Sequence, residues 1–243
     1  MATISSLLGA LRRFCGLSGG VEYPLVSYTD ARFHAHIPRN SLRTIFEVGA
    51  RHGDESRALA MMLPGAKIYS FECNPATIES CREKLRPFVN VTFHDHALGS
   101  REETRDFFPF VVDDNPGASS FLERVDATLT QNRTGVKILV RTGMDSMEKH
   151  GLTTIDLLCM DVQGLELEVL KGFGERLEQV RYIIMEEPSL TPSREHLPEG
   201  MHSKYLDAPN PIAIRAFMKS HGFRELVRLP ENLIEDNVLY GRA

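Results

Sequence analysis

From Thr44 onward, short apolar runs alternate with segments of helical period, and this order constrains the fold more than any other feature of the chain. Strand and helix in regular succession are the signature of a parallel sheet with helices on both faces. The first run, TIFEV at residues 44–48, enters a glycine-bearing loop and then a helical pattern with Leu59, Met62 and Leu63 on one face. Asp54 and Glu55 open that helix, where the N-terminal dipole favours negative charge. A second run, KIYSFE at 67–72, ends before Asn74-Pro75, an N-cap and first-turn pair that starts a helix with Ile78, Cys81 and Leu85 inward. A third strand is expected over 89–97.

The alternation then lapses. RDFFPFVV (105–112) and VKILVRT (136–142) read as strands of an excursion off the sheet, a hairpin near the ligand mouth. It resumes with IDLLCMD (155–161), the helix GLELEVLKG closed by Gly172, and VRYIIMEE (180–187). Asn210-Pro211 opens a last helix with Ile214, Phe217 and Met218 inward, and Gly222 ends it. FRELVRL (223–229) and EDNVLYGR (235–242) follow as the antiparallel edge of a mixed sheet. The polar stretch from Pro188 to Pro209 has the length of a lid or binding loop.

A chain of 243 residues fits one α/β domain, and its 42% hydrophobic and 25% charged residues are those of an ordinary soluble protein. A net charge of -5 argues against a nucleic-acid or charged-membrane partner. No run approaches the ~20 apolar residues of a membrane span. Cys15, Cys73, Cys81 and Cys159 form no CxxC pair, so structural zinc is not expected, and a reducing cytoplasm is the simplest compartment. The first twenty residues carry no acid and contain Arg12 and Arg13, as a transit peptide would. A short amphipathic helix with Leu7, Leu8 and Leu11 packed on the domain is the preferred reading.

The loop after the first strand reads Glu47-x-Gly49-x-x-x-Gly53. A dinucleotide loop has its first glycine where Glu47 stands, and a pyrophosphate would be repelled there. The sulfonium and α-ammonium of S-adenosylmethionine would not, and Glu47 can attract the ammonium directly or through water. Glu72, closing the second strand 19 residues after Gly53, can accept both ribose hydroxyls. Ala50 and His52 in the loop, and Cys73 and Asn74 beyond Glu72, complete this side. Asp95, His96 and Ala97 are placed to reach an adenine. These residues lie at carboxyl ends of strands, where open α/β sheets bind ligands.

FEVGARHGDES, YSFECNP, HALGS, GASSF and IDLLCMDVQGLELEVLKGF, in this order, closely resemble the FkbM family of class I S-adenosylmethionine-dependent methyltransferases. The resemblance is strong from about Thr44 to Phe173, weaker to Glu187 and in EDNVLYGR, and absent from the first forty residues. It implies a Rossmann-like class I methyltransferase fold, with a mostly parallel seven-stranded sheet, an antiparallel C-terminal edge strand and helices on both faces. Residues 1–40 would be an N-terminal helical arm or lid and 41–243 the methyltransferase domain. It also implies O-methylation of sugars, glycolipids or other hydroxylated natural products in biosynthesis. Glu47 stands where many members have Asp, which preserves the charge; Gln163 stands where Glu is commoner, so no carboxylate carries over there.

A base for the acceptor hydroxyl must face the methyl group, hence the ends of the fourth and fifth sheet strands. Asp161 is the first choice, with Glu187 beside it; alternation lets only one of Glu186 and Glu187 point inward with Asp161. Capping of the following helix is the bland role for Asp161. No dedicated metal site is expected, although Asp161, Glu186 and Glu187 together can hold Mg²⁺. Ser119, Ser120, His196 and His202 are further candidates for acceptor contact, and Cys159 is a small hydrophobe rather than a nucleophile. The strand end MDVQG differs from the Asn/Asp-Pro-Pro-aromatic motif of nucleic-acid N-methyltransferases. Two rival classes are a nicotinamide-dependent oxidoreductase and an inactive methyltransferase-like binding module; turnover and a comparison of NAD with S-adenosylhomocysteine separate them.

Overall fold

A computed structural model describes residues 26–111, 116–127, 131, 134–192, 197 and 199–242. The expected helix around Leu7, Leu8 and Leu11 lies outside them, as does His196. Among the described residues, seven strands form the main sheet: β1 (Thr44–Val48), β2 (Lys67–Phe71), β3 (Val91–His94), β7 (Ile155–Met160), β8 (Val180–Pro188), β9 (Phe223–Pro230) and β10 (Glu235–Arg242). Their order is β3-β2-β1-β7-β8-β10-β9. β3, β2, β1, β7 and β8 run parallel, and β10 is antiparallel to both β8 and β9. The antiparallel strand thus stands at the C-terminal side of the sheet, one position in from its outermost strand.

The central strand β7 is buried at every position, as a parallel strand covered on both faces must be. Its one charged side chain, Asp156, accepts from the backbone N–H of Arg43 (2.8 Å) and Thr44 (3.0 Å) and pairs with Arg181 (2.9 Å). Alternate residues of β1, β7 and β8 feed different cores. Phe46, Val48, Leu158, Met160, Ile183 and Met185 pack under α4 (Gly143–Lys149), α5 (Glu166–Lys171) and α6 (Pro211–Ser220). Ile45, Leu157, Cys159 and Ile184 pack under α1 (Ala31–His34) and α2 (Asp54–Met62). Tyr28, Phe33 and Ile37 join the second core, so the described part of the N-terminal segment is built into the domain. The remaining helix, α3 (Ile78–Leu85), buries Cys81 and Leu85. As expected for α6, the Asn210 side chain accepts from Ala213 N–H (2.8 Å) and Pro211 occupies the first turn.

The excursion forms a second sheet, ordered β4-β6-β5, from β4 (Ala97–Leu98), β5 (Glu103–Phe107) and β6 (Val136–Arg141). β5 and β6 are the expected antiparallel pair. Regular pairing stops before Pro109, which has no N–H to give, and Phe108 and Phe110 make isolated bridges to Ser120 and Gln131. The strand expected over 89–97 is two: the chain leaves the main sheet at Asp95 and enters the second at Ala97. No helix among the described residues is long and apolar enough to cross a membrane.

Candidate active site

The carboxyl ends of β1, β2, β7 and β8 and the amino end of β10 open on one cavity of about 290 Å³. At its floor β1 gives way to Gly49, whose φ is +90° and whose N–H donates to Phe71 O (2.9 Å). A Cβ at Gly49 would lie 2.0 Å from the Asp161 carbonyl oxygen, so only glycine lets the two strand ends come together.

Glu72 follows β2 and is buried. Its Oε1 accepts from the N–H of Cys73 (2.8 Å) and Asn74 (2.6 Å), and its Oε2 from the N–H of Arg51 (2.5 Å). Burial pushes its pKa up, against these bonds. The result is a fixed carboxylate on the cavity wall, able to accept from neighbouring hydroxyls. Phe71, His96, Ala97, Leu98, Phe107 and Phe121 supply the flat and apolar part of that wall. Asn74 reaches across it, donating to Pro116 O and Ser119 Oγ (both 3.3 Å), and so ties the GASS turn to the site.

At the other end stand Asp161 and Glu186. The β7–β8 register pairs Cys159 with Ile184, so two residues on, Asp161 and Glu186 share a face. Gln163 Nε2 donates to Asp161 Oδ1 (2.5 Å) and to Glu186 Oε2 (3.2 Å). Burial, and then the charges of Glu235 and Asp161, raise the Glu186 pKa well above the carboxylate range. Burial likewise raises Asp161, with Gln163 opposing it and Glu235 adding to it. Two buried carboxylates so placed favour protonation of the pair. Around them Lys204 pairs with Glu235 (3.3 Å) and Asn232 donates to Glu235 (2.7 Å). Burial opposes ionisation of Glu235, but Lys204 and Asn232 hold it below the usual range.

The family model of the methyltransferase FkbM domain matches residues 47–225. The chain belongs to the FkbM methyltransferase family. A relative, 2-O-methyltransferase NoeI of Sinorhizobium fredii, is 26% identical over 189 residues, covering 74% of this chain and 76% of the relative. Among solved structures, an S-adenosylmethionine-dependent methyltransferase from Aquifex aeolicus superposes with TM-score 0.44 at 13% identity, covering 83% of this chain and 82% of that one. Aeropyrum pernix fibrillarin with bound S-adenosylmethionine gives TM-score 0.49 at 12% identity, covering 84% and 68%. This FkbM protein is an S-adenosylmethionine-dependent methyltransferase.

Of the residues singled out in the sequence, Gly49, Glu72, Cys73, Asn74, His96, Ala97, Ser119 and Asp161 line the FkbM cavity. Glu187 does not. Strand alternation turns it to the opposite face of β8, where Arg228 (2.9 Å) and Tyr240 Oη (2.8 Å) hold it; Glu186 takes the inward place. The trio Asp161, Glu186 and Glu187 therefore does not converge, and among the described residues no group of three His, Cys, Asp or Glu could hold a metal ion. Asp95 is also turned away, exposed and paired with Arg82 (3.0 Å), because the chain changes sheets there.

Glu47 stands behind the glycine loop, buried, accepting from Ser56 and from Ser70 Oγ (3.1 Å). Burial pushes its pKa up to about 7. It does not line the cavity and stands behind it. Ala50 and Gly53 pack against the α3 side, and His52 lies 2.9 Å from Ser80 Oγ; all three shape the loop from outside the cavity. Ser120 donates to Gln163 O (2.9 Å). His202 is not on the wall. Lys204, Glu231, Asn232 and Glu235 were not singled out. One signal could have found three of them: an antiparallel strand beside parallel ones brings its amino end, here ENLIE, to their carboxyl ends.

Proposed function

We propose that this enzyme moves a methyl group from S-adenosylmethionine to a hydroxyl oxygen of a small polyhydroxylated acceptor, such as a sugar, a glycolipid or another natural product, in cytoplasmic biosynthesis. The observation that carries the reading is the Asp161–Glu186 pair opening on the same cavity as Gly49 and Glu72. The relative's name, a 2-O-methyltransferase, supports oxygen as the acceptor atom. The net charge of -5 supports a small molecule over nucleic acid, and free thiols at Cys73, Cys81 and Cys159 suit a reducing compartment.

S-adenosylmethionine, when bound, supplies an electrophilic methyl on a sulfonium. Glu72 receives the ribose hydroxyls, the glycine at position 49 lets backbone approach, and His96 and Ala97 stand at the adenine with Cys73 and Asn74 beside it. Glu47 acts at one remove, through the loop it anchors. Lys204, Asn232 and Glu235 offer donors and acceptors matched to a hydroxylated acceptor. Asp161 takes the hydroxyl proton as the new C–O bond forms and the S–C bond breaks, the bonding pair staying on sulfur. Orientation is worth roughly 7–11 kcal/mol of such a barrier. A positioned base adds about 10²–10⁴-fold.

The test is a screen of sugars, glycolipids and other polyols with methyl-deuterated donor, the product read by mass spectrometry and NMR. Label on an ether oxygen is expected. Label on nitrogen or carbon, or no S-adenosylhomocysteine formed with any hydroxylated acceptor, overturns the reading.

A further inference from the structure

We propose that Gln163 is the positioning residue of this reaction: its amide spans Asp161 and Glu186 and keeps them a pair that holds one proton and offers one base. The inference rests on the hydroxyl-acceptor reading above. A primary amide has two N–H donors on one side and an acceptor on the other. Here both faces are used. Nε2 donates to Asp161 Oδ1 (2.5 Å) and Glu186 Oε2 (3.2 Å), while Oε1 accepts from Tyr205 Oη (2.5 Å). The two carboxylate oxygens facing Nε2 set which way round the amide sits, and the Tyr205 hydroxyl, also 3.0 Å from Ala118 O, lies against its other end. Ser120 pins the Gln163 carbonyl (2.9 Å).

The backbone of Gln163 has φ +54°, a left-handed conformation that a side-chain-bearing residue keeps only where its surroundings over-determine it. A glutamate here cannot do the same work. Ionised, it adds a third negative charge; protonated, it donates once.

The other groups facing the pair are Glu235 of β10, Glu231 before it, Glu166 of α5, Tyr28 before α1, and Lys204 and Tyr205 before α6. The carboxylates among them favour protonation of the pair. Gln163 and Lys204 oppose it, and among the described residues Gln163 donates to both members. Removing its donors makes the pair bind protons more tightly and so withdraws the free base.

The test is a carbon-13 NMR titration of side-chain carboxyls in the full chain saturated with S-adenosylhomocysteine. Wild type is compared with Gln163→Leu, Gln163→Glu and Tyr205→Phe. Both titration steps of the pair are expected to rise by about one pH unit or more in Gln163→Leu and further in Gln163→Glu. The acid limb of kcat should move up with them, while KM for the acceptor stays within about threefold. Tyr205→Phe frees the amide without removing it and should give a smaller shift the same way. Unmoved titration steps in folded Gln163→Leu overturn the proposal, as does a loss of kcat with an unmoved pH profile. If Gln163→Leu does not fold, unmoved steps in Tyr205→Phe overturn it. A wild type that methylates no hydroxylated acceptor overturns the functional reading instead, and the titration, which needs no acceptor, tells the two apart.

Discussion

Glu72 receives three backbone N–H groups, from Arg51, Cys73 and Asn74, so its carboxylate is oriented before any ligand arrives. Hydrogen bonds to a charged group are worth about 1.5–3 kcal/mol each. Replacing Glu72 by Ala should weaken S-adenosylhomocysteine binding by about 10- to 150-fold in a calorimeter; unchanged affinity would refute the ribose assignment. Glu166 offers a test of burial. It accepts from the N–H of Val162 (3.3 Å) and Gly164 (3.2 Å), and burial pushes its pKa from 4.5 up to about 8. Between those values the folded chain binds the extra proton and the unfolded chain does not, so this group's contribution to stability falls as pH rises. Glu166→Gln is isosteric with the protonated form. Urea unfolding should show it equal to wild type near pH 4 and more stable near pH 9, by up to about 5 kcal/mol. A difference that does not change with pH would mean that Glu166 is not held protonated.

At the scale of the element, the phase of β8 decides which carboxylate meets Asp161. Glu187 is locked to Arg228 and Tyr240 on the far face, so Glu187→Ala should cost about 2–4 kcal/mol, somewhat less than a broken isolated buried pair because Arg228 keeps Glu225 and Asp236. S-adenosylhomocysteine affinity should not change. If Glu187→Ala instead abolished turnover at wild-type stability, the outward placement would be wrong. This phase could not be read from VRYIIMEE, because β8 is covered on both faces and shows no polar–apolar alternation. What could be read were the strand ends: Gly49, Glu72 and Asp161 are legible because a glycine, or a carboxylate closing an apolar run, stands out locally. Glu47 is less legible, since a charge at a strand end looks like a ligand contact while Ser56 and Ser70, further along the chain, decide where it points. Asp95 lies outside the cavity because the strand expected over 89–97 breaks there. Lys204 depends on a chain reversal remote in sequence, which no local pattern records.

For the whole molecule, the sheet order brings five strand ends to one cavity and leaves both flanking cores continuous. A ligand that binds only the folded chain at 100 times its Kd adds about 2.7 kcal/mol of stability, or about 5–10 °C in Tm for a chain of this size. S-adenosylhomocysteine should produce that shift and NAD should not; the reverse would favour an oxidoreductase site. The central claim is that one cavity binds the donor and deprotonates a hydroxyl through Asp161. It is tested most directly by measuring kcat and S-adenosylhomocysteine affinity for Asp161→Asn beside wild type, with an acceptor found in the hydroxyl screen. The expected result is a fall of about 10²–10⁴-fold in kcat with affinity held within about threefold. Turnover near the wild-type rate, or equal losses in rate and affinity, would contradict it.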